Sequence, residues 1–247
     1  MQGKTRDQRP ETRGPATDPR EAVSGCLSVI VPARNEAERI ADTVAALKAL
    51  QVVGQVIVVD DGSCDNTASV AEKAGADAMI RGSGAGKGQA MEMGIEAATG
   101  GFVGFADADL GLSAGEFGRL AQPVLTGEAD LAIAVFPRAG RGGGFGTALW
   151  VARWGVRRYG GRDLQAPLCG QRVLTRELCG KLLPFARGYG VEVGMDIDAL
   201  RLGARIVEVP VPMSHRALGR TPAGFLHRGR QLLDIVAALW TRRRRAQ

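Results

Sequence analysis

The sequence predicts an α/β fold in which a mostly parallel sheet is covered by helices on both faces. Short β-branched runs, such as residues 27–31 and 56–59, alternate with longer segments whose apolar residues recur at helical spacing. Such alternation is typical of strand–helix–strand units and therefore of parallel sheets. The chain has 247 residues, of which 45% are hydrophobic, and this suits one sizeable domain or a domain with an extension.

The first half of the chain has the regular alternation. Residues 1 to about 25 lack apolar periodicity and are predicted to be a disordered tail. After this tail, runs of β-branched and other apolar residues predict strands, and the longer amphipathic segments between them predict helices. The predicted strands are 27–31, 56–59, 78–80, 102–106 and 131–135, and the predicted helices are 37–50, 67–74, 87–98 and 113–125.

The second half is less regular. Residues 136–146 are too rich in glycine for regular structure and predict a mobile loop. Beyond it the sequence predicts helices at 147–159, 175–183, 191–202 and about 223–240, and an extended segment at 205–211. We therefore expect a catalytic domain over residues 26–222, followed by a C-terminal helix and basic tail over 223–247.

The composition limits the classes of partner. The formal net charge of +6 favours anionic partners, namely nucleotides, phosphorylated metabolites, anionic lipid or nucleic acid. The four cysteines are scattered without metal-ligand spacing, which argues against a disulfide framework or zinc site and favours a reducing cytosol. No run resembles a signal peptide or a membrane span. A cytoplasmic location is therefore expected, with peripheral contact to the inner face of the membrane as the alternative.

Two carboxylates directly follow the predicted strand 102–106. Asp107 and Asp109 are two residues apart, so an extended backbone points both side chains to the same side. Two like charges this close repel each other, and a divalent cation with oxygen ligands, Mg²⁺ or Mn²⁺, removes the conflict. The alternative is that Asp109 or Ser113 merely caps the next helix.

Two further carboxylates, Asp60 and Asp61, follow the strand 56–59, and Gly62 permits a tight turn after them. Ligands of parallel sheets bind at the carboxyl ends of the strands, so contact with a base or ribose is favoured for both. The alternative is a polar loop in which Asp65 caps the following helix.

The glycine-rich turn at 81–88 contains Arg81 and Lys87. It is not a Walker loop, because glycine rather than serine or threonine follows Lys87. A cation beside a helix N-terminus, where free N–H groups attract anions, suits a diphosphate.

These motifs together resemble family 2 glycosyltransferases with the GT-A (nucleotide-diphospho-sugar transferase) fold. SVIVPARNE (28–36), VDDGSCDNT (59–67), GKG (86–88) and DADL (107–110) occur in the order seen in that family. The resemblance implies a nucleotide-sugar donor whose diphosphate is held by a metal on Asp107 and Asp109. It also implies that the base and ribose lie near a set of residues in the first two motifs, Pro32, Arg34, Glu36 and Asp61.

The second half resembles glucosyl-3-phosphoglycerate synthases in LQAPLCG (164–170), LPFARGYGVE (183–192) and SHR (214–216). This resemblance implies that His215 completes the metal site and that Lys87 binds the donor. The chain also departs from its relatives. Polyprenyl-phosphate sugar transferases often have glutamine where this chain has Gly111, and the segment 138–146 is shorter and richer in glycine than expected for a phosphoglycerate enzyme.

Glu192 and Asp196 are four residues apart, so a helix places them on one face. Asp109 and Glu192 are the candidate catalytic residues. Glu192 is chosen because it is next to a Gly-Tyr-Gly turn and is suited to position an acceptor hydroxyl or act as general base. The alternative is a salt-bridged helix surface.

Candidate acceptor-binding residues are the arginines Arg138 and Arg141 and the turn residues Gly188 and Tyr189. The sequence thus predicts a metal-dependent transferase that moves a hexose, glucose by resemblance, to an anionic acceptor like 3-phosphoglycerate.

Alternatives to this acceptor and to this class of protein remain open. A polyprenyl phosphate at the membrane surface is the alternative acceptor, because the helix 147–159 carries tryptophans and arginines at helical spacing. A core stripe with a basic edge explains the same spacing. A nucleotidyltransferase is disfavoured because the sequence contains no convincing triphosphate loop. A nucleic-acid-binding module ranks last, since the strand-end carboxylates would repel phosphate.

Overall fold

Seven strands form one sheet in the computed structural model, which describes residues 27–136, 146–214 and 222–244. The strands are β1 (Leu27–Ala33), β2 (Val53–Asp60), β3 (Ala78–Arg81), β4 (Phe102–Phe105), β5 (Leu131–Val135), β6 (Arg172–Thr175) and β7 (Ile206–Pro210). Their order across the sheet is β3-β2-β1-β4-β6-β5-β7. Within this sheet β6 alone runs antiparallel to its neighbours. The predicted mostly parallel sheet is therefore confirmed.

Helices cover both faces of the sheet. They are α1 (Ile40–Lys48), α2 (Thr67–Lys73), α3 (Lys87–Ala97), α4 (Phe117–Leu125), α5 (Gly146–Gly160), α6 (Arg176–Lys181), α7 (Val191–Arg201) and α8 (Pro222–Arg244). Alternation along β1 divides the core, because Val29 and Val31 join one apolar cluster and Ile30 joins the other. The cluster around Ile30 includes residues of α3, α5, α7 and α8, and the other includes residues of α1 and α4.

The parallel strands β2, β1 and β4 bring their carboxyl ends to the same edge of the sheet. Ala33, the last residue of β1, pairs with Asp60, the last residue of β2. The chain stays aligned just beyond the strands, since Asp61 donates its backbone N–H to the Ala33 carbonyl at 2.9 Å. This edge therefore collects the residues that follow each strand.

The strand β6 was not predicted, and the helix predicted at 175–183 is the shorter α6. The sequence of β6 begins with Arg172, whose side chain is fully buried and paired with Asp196. The strand contains only two consecutive apolar residues, Val173 and Leu174, and the counter-charge of Arg172 lies 24 residues away in the chain. Local pattern therefore gave no signal for this strand.

The C-terminal helix α8 packs against α5 and α7. The side chain of Leu239 lies over Gly155 of α5. A Cβ added at Gly155 would come within 2.7 Å of two atoms of that side chain. Arg242 forms an ion pair with Asp198 of α7 and donates Nε to the Gly194 carbonyl at 3.1 Å. None of the described helices is long and apolar enough to cross a membrane. The predicted tail at 1–25 and nearly all of the predicted loop at 136–146 lie outside the described residues.

Gly94 sets the distance between α3 and the sheet. A Cβ on Gly94 would lie 2.4 Å from Cγ2 of Ile30 in β1, closer than van der Waals contact allows. We expect Gly94→Ala to lower the free energy of unfolding by about 1–3 kcal/mol, because the core cannot accept the extra methyl group without moving. Urea unfolding measures this change.

The matched control is Gly118→Ala in α4, where the added Cβ would meet Leu50 at an ordinary 3.6 Å. That variant should keep its stability or gain up to about 1 kcal/mol from the better helix propensity of alanine. Equal effects of the two substitutions would contradict close packing at Gly94.

Candidate active site

Asp107 and Asp109 leave the sheet together at the end of β4. Ala108 and Leu110 are buried, whereas Asp107 and Asp109 remain partly exposed. The hydroxyl of Thr43 in α1 fixes this backbone, donating to the Ala108 carbonyl and accepting from the Gly111 N–H, both at 2.8 Å. The chain turns at residues 108–109, so the extended backbone on which the predicted same-side arrangement rested ends before Asp109, and that arrangement stays a prediction.

Lys87 connects the strand end to α7. Its Nζ lies 2.7 Å from Asp107 Oδ1 and 2.8 Å from Glu192 Oε1. Removal from water alone would lower the pKa of Lys87, but the charges of Asp107 and Glu192 outweigh that effect and hold the pKa above its ordinary value. Three residues proposed from separate parts of the sequence therefore form one charged cluster. The lysine remains protonated at the first residue of α3.

Gln171 also contacts Asp107, and the sequence analysis did not include it. Its Nε2 donates to Asp107 Oδ2 at 2.6 Å, and the residue is almost fully buried. Gly170 allows this approach, because a Cβ there would lie 2.5 Å from Lys87 Nζ and 2.8 Å from both Asp107 oxygens. The one available signal was position, since Gln171 follows directly after the segment 164–170 that carries the family resemblance.

The glycine turn is attached to the end of β2. Asp61 is buried and its Oδ2 accepts the backbone N–H of Gly86 at 2.8 Å. Asp60 accepts the Ser63 N–H at 2.9 Å, which closes the turn after β2. One oxygen of each carboxylate is thus used by the backbone. Arg81 is exposed at the end of β3, on the outer side of this turn.

The loops after β1 and β2 are joined by hydrogen bonds. Asn35 donates its backbone N–H to Ser63 Oγ at 2.9 Å and accepts the Cys64 N–H at 2.8 Å. The Glu36 N–H donates to Thr67 Oγ1 at 2.8 Å. The predicted base and ribose residues therefore share one edge with the carboxylates, Pro32 and Glu36 partly buried and Arg34 exposed.

Glu192 and Asp196 are both buried on α7, so the alternative of a salt-bridged helix surface is wrong. Glu192 faces Lys87, whereas Asp196 pairs with the buried Arg172. Burial raises the pKa of the Asp196 carboxyl to about 6, although Arg172 opposes this rise.

The candidate acceptor residues are only partly described. Gly188 and Tyr189 lie in a 3-10 turn, Gly188–Gly190, directly before α7. Tyr189 donates its backbone N–H to Asp234 Oδ2 of α8 at 3.0 Å. Arg138, Arg141 and the candidate metal ligand His215 lie outside the described residues.

The candidate metal site offers oxygen ligands of a kind that suits Mg²⁺ or Mn²⁺. Among residues 27–136, 146–214 and 222–244, no group of three His, Cys, Asp or Glu side chains can hold a metal. Asp107 and Asp109 carry carboxylate oxygens, the hard ligand type that these ions take. Magnesium typically takes one or two carboxylates and completes its shell with phosphate oxygens and water. The described residues fit a metal of that kind.

Comparison with known proteins gives consistent matches. The sequence profile of glycosyl transferase family 2 matches residues 28–176. A glucosyl-3-phosphoglycerate synthase of Mycobacterium tuberculosis is 34% identical over 87% of this chain and 73% of its own length. An uncharacterised glycosyltransferase of Mycobacterium bovis is 32% identical over 86% of this chain and 94% of its own length.

Solved structures agree with these matches. The crystal structure of the M. tuberculosis glucosyl-3-phosphoglycerate synthase with Mg²⁺ and UDP has a TM-score of 0.75 and 31% identity, covering 93% of this chain and 84% of that chain. A complex with Mn²⁺, UDP-glucose and phosphoglyceric acid has a TM-score of 0.73 and 30% identity, covering 94% and 86%. The predicted GT-A fold is therefore confirmed.

Cys169 is half-buried and Cys179 is buried, whereas Cys64 is exposed. Burial raises the pKa of the Cys169 and Cys179 thiols to about 12, so both are almost entirely protonated at pH 8. We expect iodoacetamide to alkylate Cys64 well before Cys169 or Cys179 in the native protein, because the thiolate is the nucleophile. Peptide mass spectrometry of timed samples measures each rate.

Alkylation in urea is the control, since all three thiols should then react at similar rates. Labelling of native Cys169 as fast as Cys64 would contradict the burial of this thiol.

Proposed function

Because the chain belongs to glycosyl transferase family 2, we propose that it transfers glucose from UDP-glucose to a small anionic acceptor of the 3-phosphoglycerate type, using Mg²⁺ or Mn²⁺. The observation that carries this proposal is the similarity to glucosyl-3-phosphoglycerate synthase over most of both chains. It is supported by the complexes of such enzymes with UDP-glucose and phosphoglyceric acid. The charged cluster of Lys87, Asp107 and Glu192 is the structural feature that serves the chemistry.

The nucleoside end of the donor is proposed to bind along the joined loops after β1 and β2. A carboxylate there accepts from a base N–H or a ribose hydroxyl. Because Asp61 Oδ2 is already bonded to the Gly86 N–H, we propose that its other oxygen faces the ligand. The residues proposed for this end are Pro32, Arg34, Glu36, Asp60 and Asp61.

The diphosphate is proposed to lie between the glycine turn and the end of β4. A divalent cation on Asp107, Asp109 and His215 would offset the negative charge on the leaving diphosphate. Lys87 remains protonated beside this position and lies at the N-terminus of α3, whose free N–H groups also attract anions. Arg81 is proposed to add positive charge from the exposed end of β3.

Glu192 is proposed to position rather than to transfer a proton. Its carboxylate is 8% exposed and bonded at 2.8 Å to the Lys87 ammonium, which it shares with Asp107. A carboxylate engaged in this way orients Lys87 and contacts an acceptor hydroxyl only through its second oxygen. The alternative role of general base would require that the pair with Lys87 opens.

The acceptor is proposed to contact the 188–190 turn, with Arg138 and Arg141 as the further candidate ligands that the sequence offers. Backbone N–H groups and arginines are the usual partners of phosphate and carboxylate groups. Gly188 has a φ of +60° and lies against Asp234, so the turn is held by α8 in a conformation that favours glycine. Gly188 and Tyr189 are the proposed acceptor residues of this turn.

A lipid phosphate is the second candidate acceptor. Trp150 and Trp154 on α5 are 66% and 42% exposed, and Arg157 and Arg158 are exposed beside them. Exposed tryptophans with arginines are typical of helices that lie on anionic membranes. This surface favours contact with a membrane, whereas the similarity to phosphoglycerate enzymes favours the small acceptor.

Release of UDP from UDP-glucose tests the donor and the acceptor together. We expect release that requires Mn²⁺ or Mg²⁺ and that 3-phosphoglycerate stimulates. If a polyprenyl phosphate in anionic vesicles stimulates the metal-dependent release and 3-phosphoglycerate does not, the acceptor is the lipid phosphate instead. Absence of release under all conditions would contradict the donor.

Asp109→Asn tests the metal site. An amide oxygen is a weaker ligand than a carboxylate, so we expect the transfer rate at fixed Mn²⁺ to fall by about a hundredfold or more, corresponding to several kcal/mol of lost charge stabilisation. Steady-state rates over a Mn²⁺ titration measure this loss. The control is Glu72→Gln, an exposed carboxylate on α2, which should leave the rate unchanged. Unchanged turnover and metal dependence in Asp109→Asn would disprove the assignment.

A further inference from the structure

We propose that Gln171 is a positioning residue for Asp107, and that the buried ion pair of Arg172 and Asp196 holds Gln171 in place. This inference rests on the proposed role of Asp107 in the donor and metal site. In this proposal the Gln171 amide touches neither the nucleotide-sugar nor the metal. It acts only through the Asp107 carboxylate that it contacts.

The first step is the orientation of the Asp107 carboxylate. Lys87 Nζ lies 2.7 Å from Oδ1, and Gln171 Nε2 lies 2.6 Å from Oδ2. Hydrogen bonds to both oxygens restrict the rotation of the carboxylate about its Cβ–Cγ bond. In metal sites, hydrogen bonds of this kind orient the ligating carboxylates.

The second step is the orientation of the Gln171 amide. The Cys169 thiol lies 3.0 Å from Gln171 Oε1 and donates to it. A protonated thiol can donate and the ends of an amide differ, so this contact directs Nε2 toward Asp107. The raised pKa of Cys169 keeps the proton on sulfur at neutral pH. The thiol therefore contributes as a donor rather than as a nucleophile.

The third step is the attachment of the backbone that carries Gln171. The Arg172 guanidinium donates Nε to the Cys169 carbonyl at 2.8 Å and a terminal nitrogen to the Pro167 carbonyl at 3.2 Å. Its charge is matched by Asp196 of α7, and both side chains are fully buried. The planar guanidinium thus binds the loop before β6 and α7 at the same time.

A requirement for stability alone does not account for this ion pair. Apolar residues of similar volume are often as stabilising as a buried pair, since both charges lose their hydration. Arg172 instead satisfies two loop carbonyls that an apolar residue would leave without donors. Its geometric effect is to fix the loop that carries Gln171.

Lys87 and Gln171, which both donate hydrogen bonds to Asp107, are therefore both supported from α7. Glu192 of this helix contacts Lys87, and Asp196, one turn later, contacts Arg172 next to Gln171. Because residues four apart share a helix face, one rigid element supports both contacts. Movement of α7 would displace the two donors to Asp107 together.

Gln171→Met tests the first two steps. Methionine keeps the length and apolar volume of the side chain but has no N–H donor. In the presence of UDP we expect the Mn²⁺ dissociation constant of this variant, measured by electron paramagnetic resonance, to rise by about tenfold to a hundredfold. The matched control is Gln165→Met, an exposed glutamine of the same loop, which should bind Mn²⁺ like the wild type.

The outcomes separate this inference from the proposed function. Wild-type protein that binds no Mn²⁺ with UDP would contradict the proposed function itself. Normal Mn²⁺ binding by the wild type and by Gln171→Met would overturn the role of Gln171 alone. Equal weakening in Gln171→Met and Gln165→Met would also overturn it, because the effect would then be a general property of the loop.

Arg172→Lys tests the third step while it keeps the positive charge opposite Asp196. Lysine lacks the planar guanidinium, so the bonds to the two loop carbonyls are lost or weakened. We expect weaker Mn²⁺ binding in this variant, and no further weakening when Arg172→Lys is added to Gln171→Met. Additive effects would overturn the claim that Arg172 acts through Gln171. If Arg172→Lys does not fold, the Gln171→Met comparison still decides the role of the amide.

Discussion

Compensation of negative charge at one edge of the sheet is the constraint on which this site depends. The ends of β2 and β4 and the start of α7 bring Asp61, Asp107, Asp109 and Glu192 to one region, and like charges there repel. Lys87 lies between Asp107 and Glu192 and pairs with both, so its single positive charge offsets part of their combined negative charge. Backbone N–H groups and an amide satisfy Asp61 and the second Asp107 oxygen. This edge of the sheet therefore carries the carboxylates proposed for a metal and still has a lysine beside the site proposed for a diphosphate.

Close approach of backbone segments makes this compensation possible. At Gly170 a Cβ would collide with Lys87 and Asp107, and at Gly88 it would lie 2.5 Å from the Ala186 carbonyl. The second contact brings the start of α3 against the segment that leads into the 188–190 turn. Small residues thus let the start of α3 touch the two segments that flank it, and the charged groups then come within hydrogen-bonding distance.

The parts of the site that sequence patterns predict are those whose signal is local. The strand-end carboxylates Asp107 and Asp109 follow an apolar run, and their position in a parallel sheet follows from alternation alone. In contrast, β6 and Gln171 depend on Arg172, whose burial is made possible by a carboxylate on another helix. A buried arginine looks like a surface residue until its partner is known, because an unpaired charge would not be buried. The family resemblance supplied the sequence region of Gln171 but not its contact with Asp107.

The C-terminal helix α8 contacts both the turn proposed for the acceptor and the helix α7. Asp234 accepts the Tyr189 N–H, and Arg242 binds Asp198 and the Gly194 carbonyl of α7. The same α7 carries Glu192 and Asp196, which support Lys87 and Arg172 on the donor side. A single helix therefore contacts α8 and also carries Glu192, which pairs with Lys87, a partner of Asp107. Through these contacts α8 is linked to Asp107 indirectly, by way of α7 and Lys87.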